Sequence, residues 1–166
     1  MKKLDFKVGD HIFYPGAGVG RIDAEEDLYV SDRWERCFVI RICDNPLTIK
    51  LPHSSVARSG MRPLLACNKL QDLFAVLAGK TGARTDSNWT EHYKDLERKI
   101  NSGSCIQLGE VVRDLMRQRK RHGLSFEEAR LLETSCAYLA NELATIEGIP
   151  SQTAAARIRE QIGTGA

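Results

Sequence analysis

The chain has 166 residues, 42% of them apolar and 28% charged, with a formal net charge of +2. That length allows one domain or two small ones and excludes a large multidomain enzyme. The composition excludes a disordered polar tail and a collagenous or disulfide-dense chain. Residues 1–64 carry ten basic and nine acidic side chains, and residues 65–166 carry fourteen and thirteen. Global charge therefore gives no argument for nucleic acid, and local clustering has to supply one. No apolar run approaches the roughly 18 residues of a membrane span, and Asp5, Gly9 and Asp10 interrupt any leader-like start. Five cysteines (Cys37, Cys43, Cys67, Cys105, Cys136), odd in number and without a C-x-x-C pair, suit small buried thiols in a reducing cytoplasm.

The first sixty-odd residues read with a period of two. His11–Tyr14 is a short β-prone run ended by Pro15, and Gly16, Gly18 and Gly20 allow a tight turn or bulge. Cys37–Ile42 places Phe38, Ile40 and Ile42 on one face; Leu47–Leu51 does the same with Leu47, Ile49 and Leu51. Asp44-Asn45-Pro46 between them predicts a hairpin. A small antiparallel β module of the SH3/Tudor size class follows.

From Asn68 the period becomes helical. Leu70, Leu73, Phe74 and Leu77 form one stripe, closed by Gly79. Asn88 caps a helix carrying Trp89, Tyr93, Leu96 and Ile100 and ending at Gly103. Ser104-Cys105-Ile106-Gln107 opens the next, with Leu108, Val111, Val112, Leu115 and Met116 inward and Gly123 as its stop. Ser125-Phe126-Glu127-Glu128 caps a longer helix bearing Leu132, Cys136, Leu139, Leu143 and Ile146, ended by Gly148 and Pro150. Ser151 is expected to cap a last short helix with Ile158 and Ile162. The expected fold is α+β: a Tudor/SH3-like module over 1–64, then an all-α bundle of about five helices over 65–166.

Nothing in this chain carries catalysis. His11, His53, His92 and His122 lie on different elements, and no triad, zinc or phosphate-loop motif occurs. Gly16-Ala17-Gly18-Val19-Gly20 precedes a strand-like segment and no helix, so it reads as a structural turn. A non-enzyme without cofactor, metal or small-molecule substrate is expected.

Two features suggest binding. Trp89 shares a stripe with Leu96 and Ile100, which favours a core tryptophan. It also stands in the first helical turn beyond a polar loop, where an indole projects outward to meet a partner. Arg113, Arg117, Arg119, Lys120 and Arg121 face one acid, Asp114. They are either a solvated helix face with cations at its C-terminal end or a phosphate-contacting patch.

The chain resembles the CarD/CdnL family of bacterial transcription regulators. The resemblance lies in Phe6-Lys7-Val8-Gly9-Asp10, Tyr14-Pro15 with Gly18-Val19-Gly20, Leu47–Pro52 and Ser59-Gly60-Met61-Arg62. It continues through Asn88-Trp89, Tyr93-Lys94, Ser102-Gly103, Glu110–Leu115 and Gly123-Leu124-Ser125, in the family's order and spacing. It implies an N-terminal Tudor-like module docking on the β subunit of RNA polymerase. It also implies a helical C-terminal domain on promoter DNA at the upstream edge of the bubble, with Trp89 as a minor-groove wedge. Lys50, with Leu28 and Val30, would face the polymerase; Leu28 stands where relatives can offer an arginine. Lys94 and Arg130 would contact DNA together with Arg113, Arg117, Arg119, Lys120 and Arg121. Glu91, His92 and Ala129 replace basic residues of relatives, so phosphate contact is expected to shift toward the Arg119–Arg121 helix. The expected protein is a cytoplasmic monomer, joined to the nucleoid through polymerase and having no membrane partner, that stabilises the open promoter complex. The alternative is a protein-interaction adaptor without DNA contact.

Overall fold

The computed structural model describes residues 5–81, 89–102 and 104–164, the side chains of Trp89, Ser102 and Thr164 excepted. The chain divides into two compact units, Met1–Leu64 and Leu65–Ala166.

The first unit is an antiparallel sheet of β1 (His11–Tyr14), β2 (Gly18–Val30), β3 (Arg33–Ile42), β4 (Thr48–Pro52) and β5 (Arg62–Pro63), in the order β4-β3-β2-β1-β5. A one-turn helix, α1 (Val56–Ser59), lies between β4 and β5. Ile12, Ile22, Phe38, Ile40, Ile42, Leu51 and Met61 form its core. The predicted hairpin is present: Asn45 Oδ1 accepts from the Leu47 amide at 2.9 Å, and Ile42 N–H donates to the Leu47 carbonyl at 3.0 Å. Leu47 itself is exposed, a correction to the expectation that it joins Ile49 and Leu51 inside: it precedes β4 and belongs to the turn.

The β2–β3 hairpin is longer than sequence periodicity foretells. It turns on Ser31 and Asp32, with φ of 51° and 65°, the two left-handed residues that a two-residue hairpin loop needs to match strand twist. Beyond Cys37, the last β3 residue with a β4 partner, it continues as a two-stranded ribbon. There Arg36 bridges Glu25 and Asp27, at 3.8 and 3.3 Å, in place of apolar packing.

The second unit holds α2 (Leu70–Ala78), α3 (Trp89–Ser102), α4 (Cys105–Arg121), α5 (Phe126–Glu147) and α6 (Ser151–Thr164). The bounds follow the stops and caps in the sequence. Ser125 and Glu128 form a complete capping box, and the Ser104 hydroxyl accepts from the Gln107 amide at 3.3 Å. The predicted Asn88 cap lies outside the described residues. Ser151 is the first helical residue and not a cap; the Ala154 amide donates to the Pro150 carbonyl.

Leu73, Leu77, Leu96, Ile100, Leu108, Val112, Leu115, Leu139, Leu143 and Ile158 lead the helical core. Each fully buried leucine or isoleucine contributes about 1.5–3 kcal/mol. Gly109 lets α2 approach α4 closely, because a Cβ there would stand 2.8 Å from a Leu73 methyl. Among the described residues no helix is long and apolar enough to cross a membrane. All five cysteines are free; Cys43 and Cys67 are exposed, which corrects the expectation of uniformly buried thiols.

Candidate polymerase and nucleic-acid interfaces

In the β unit, register decides which side chains share a face. Lys50 pairs with Val39, Glu26 with Cys37, Leu28 with Glu35 and Val30 with Arg33. Because side chains alternate along a strand, Lys50, Leu28 and Val30 fall on one face, opposite that of Phe38, Ile40 and Leu51. β4 is also an edge strand of the sheet. Lys50 Nζ reaches Glu26 Oε2 at 3.2 Å, with both side chains about half exposed. Such a surface pair is worth about 0–1 kcal/mol, so a partner's carboxylate can displace Glu26 at little cost.

Tyr29 and Trp34 stand out only in the structure. They are directly cross-strand, 61% and 70% exposed, with ring centroids 5.6 Å apart edge to face at the hairpin tip. Two aromatics flanking Ser31-Asp32 were the available signal. The surrounding acidic run concealed it.

In the helical unit, Trp89 is the first residue of α3; its side chain lies outside the described residues. Lys94 is exposed on the same helix and makes no ion pair among the described residues, whereas Arg98 pairs with Asp95, and Lys99 reaches Asp95 and Glu110 at 3.7 and 3.9 Å. The start of α5 packs beside α3. His92 Nε2 lies 3.9 Å from Glu128 Oε2, and burial raises the Tyr93 pKa against the smaller opposing pull of Arg130. Arg130 also stands over the Phe126 ring at 5.9 Å, and Phe126 is 74% exposed. Exposed cations and an exposed aromatic thus gather near the first turns of α3 and α5.

Glu128 is buried here. Desolvation pushes its carboxyl up, but the Ser125 amide, the Gln118 side chain, the Ser125 hydroxyl and the field of His92 outweigh it, leaving the group below its ordinary 4.5. The unfolded chain therefore binds this proton more tightly than the folded one. The stabilisation is complete above about pH 4.5 and is lost as pH falls through the folded value. Unfolding followed from neutral pH into acid should show Glu128→Gln with a shallower acid loss than wild type. The remainder is expected from Asp95, held low by its hydrogen bond from Arg98.

Arg113 and Arg117 correct the sequence reading. They were expected on a phosphate-contacting surface; they are 7% and 4% exposed. Arg113 donates to the Val76 carbonyl at 3.0 Å and pairs with Asp114 at 2.8 Å. Arg117 donates from Nη1 to the Gly79 carbonyl and to Thr81 Oγ1, and from Nη2 to the carbonyls of Leu77 and Ile162 at 3.1 and 3.2 Å. These are carbonyls that the ends of α2 and α6 cannot satisfy internally. Burial, followed by the field of Arg113, lowers the Arg117 pKa. Arg119, Lys120 and Arg121, by contrast, are exposed in the last turn of α4. Among the described residues no cluster of three or more His, Cys, Asp or Glu side chains could hold a metal ion.

A sheet module with an interaction edge, followed by a helical unit with exposed cations, has the build of a binding protein. Family comparison agrees: residues 6–65 match the CarD-like/TRCF RID domain and residues 72–159 match the CarD C-terminal domain. The chain belongs to the CarD family of transcription regulators, and its first unit is of the Tudor-like type that interacts with the β subunit of RNA polymerase. It is 32% identical over 144 residues to a Bacillus subtilis protein named "Putative transcription factor YdeB", covering 87% of this chain and 94% of that one.

Proposed function

We propose that this protein is a non-enzymatic regulator of transcription initiation that binds the RNA polymerase β subunit and stabilises the open promoter complex. The observation that carries the reading is the succession of the two matched domains, each on its own compact unit. The β unit docks through the face of Lys50, Leu28 and Val30 and the open edge of β4, a surface suited to adding a strand to a partner's sheet. Docking tethers the helical unit beside the promoter and raises its local concentration, so weak DNA contacts suffice. Lys94, Arg119, Lys120, Arg121 and Arg130 neutralise phosphates, and Trp89 enters the minor groove at the upstream edge of the bubble. An apolar wedge costs a few kcal/mol in intact duplex and less where bases are already parting, so it selects melted DNA. The protein acts in the cytoplasm as a monomer and meets the nucleoid through polymerase.

Two measurements test this. Binding to forked promoter DNA in the presence of polymerase should weaken steeply across a salt series, since each neutralised phosphate releases counterions. Salt-independent behaviour with no contribution from DNA would instead make the protein an adaptor. Lys50→Glu should reverse the charge facing polymerase and reduce β-subunit capture about tenfold or more, with an unchanged circular dichroism spectrum. Full retention of capture would move the interface off this face.

A further inference from the structure

Tyr29 and Trp34 have no part in the face of Lys50, Leu28 and Val30. Side chains alternate along a strand, so the two aromatics project from the opposite face of the β2–β3 hairpin. Lower down, that face carries Phe38, Ile40 and Leu51 in the core; at the tip both rings stand largely in water. β1 stops pairing at Arg21 and β4 at Cys37, so the tip is a ribbon two strands wide. From Val39, the partner of Lys50, to Trp34 is five residues, about 17 Å of strand.

A cross-strand aromatic pair stabilises a hairpin, and this one closes on Ser31 and Asp32, two left-handed residues that are not glycine. That role uses only the facing edges of the rings; their outer surfaces remain exposed side by side. Tyr and Trp fixed against each other present a large, rigid contact at little entropic cost.

Charge selects the occupant. Residues 24–36 carry five acids and two arginines, a net charge of −3. Asp27 and Asp32 are exposed, and Asp32 makes no ion pair among the described residues. A ribbon of that sign repels phosphates, and two such tips repel each other, which sets aside nucleic acid and a second copy of this chain. An arginine or lysine suits the tip, its charge drawn to Asp32 and to the indole face. Leu28 and Val30 alternate with Tyr29 on β2, so the tip continues around the hairpin from the polymerase face.

We infer that the Tyr29–Trp34 tip is a second contact on the RNA polymerase β subunit, seated against a basic segment of it. The inference rests on the proposed docking of the β unit and extends it. Lys50 meets an acidic group, and about 17 Å along the ribbon the aromatic tip meets a basic one. Two contacts of opposite sign fix the orientation of the ribbon, which a single patch around Lys50 does not.

The test is a titration of core RNA polymerase with the full chain and its variants, without DNA. It is joined to photo-crosslinking from p-benzoylphenylalanine placed at position 34. Trp34→Thr keeps strand preference at an exposed position and should weaken binding about thirtyfold, as loss of an aromatic hot spot implies. Asp32→Asn keeps a residue that tolerates the left-handed turn. It should weaken binding a few-fold at low salt while thermal unfolding stays unchanged, a split that a purely structural role would not produce. The crosslink should form on the β subunit. Trp34→Thr binding like wild type, tighter binding by Asp32→Asn, or a crosslink absent or on another subunit overturns the tip contact. Lys50→Glu separates the two readings: if it alone weakens binding, the docking face stands and the tip contact does not. Polymerase that fails to bind wild type removes both.

Discussion

Replacing Arg117 by alanine is expected to lower the unfolding free energy of the helical unit by about 2–5 kcal/mol, as the loss of several buried hydrogen bonds together with a large buried side chain implies. One guanidinium satisfies acceptors on Leu77, Gly79, Thr81 and Ile162. Truncation leaves the three carbonyls buried or starved of donors, each costing on the order of 1–3 kcal/mol, and opens a void where the side chain lay. Lysine should recover little, because one ammonium with three donors cannot span acceptors placed for a planar fork. Denaturant unfolding followed by far-ultraviolet circular dichroism should place Arg117→Ala and Arg117→Lys well below wild type. Arg121→Ala, an exposed change four residues on, should stay within about 0.5 kcal/mol. Equal stability of Arg117→Ala and wild type would mean that water replaces the fork without loss.

Trp89→Ala is expected to shorten the lifetime of the open promoter complex. A base–aromatic stacking contact is worth about 1–3 kcal/mol. If it exists only in the melted state, the closed/open equilibrium moves by about 5- to 150-fold on its removal, since an effector shifts states only by its differential affinity. Trp89→Phe keeps an aromatic face and should retain part of the effect. The change should leave polymerase capture intact, because Lys50, Leu28 and Val30 belong to the other unit. Lifetimes that are equal with wild type and Trp89→Ala would remove the wedge from the mechanism.

What could be read in advance follows from which physical signals dominate locally. The helices of the second unit were legible because apolar stripes, serine caps and glycine stops coincide, as at Ser125 with Glu128 and at Gly148, whose φ is 67°. The long β2–β3 hairpin was not. Asp23, Glu25, Glu26 and Asp27 break the apolar alternation of β2, and polar contacts to Arg41, Arg36, Lys50 and His53 replace the packing that alternation advertises. Lys50, Trp89 and Lys94 were singled out by family resemblance, a signal that local periodicity does not supply.

Arg113 and Arg117 misled for a different reason. A helix with one buried face turns its charges to water, but α4 is packed by α2, α3, α5 and α6 and buries more than one stripe. On such a helix a charge can face inward wherever another helix ends and offers carbonyls. Periodicity shows that α4 is amphipathic; it does not show that two neighbouring helices end against its second face.

The contact from Arg117 to Ile162 also sets where a self-sufficient fragment must stop. The matched span 72–159 leaves out both Ile162, whose side chain is buried and whose carbonyl takes one of the guanidinium bonds, and Leu65, whose amide donates to the buried Glu142 at 2.9 Å. An expression fragment drawn to those family limits would be cut through its own framework at both ends.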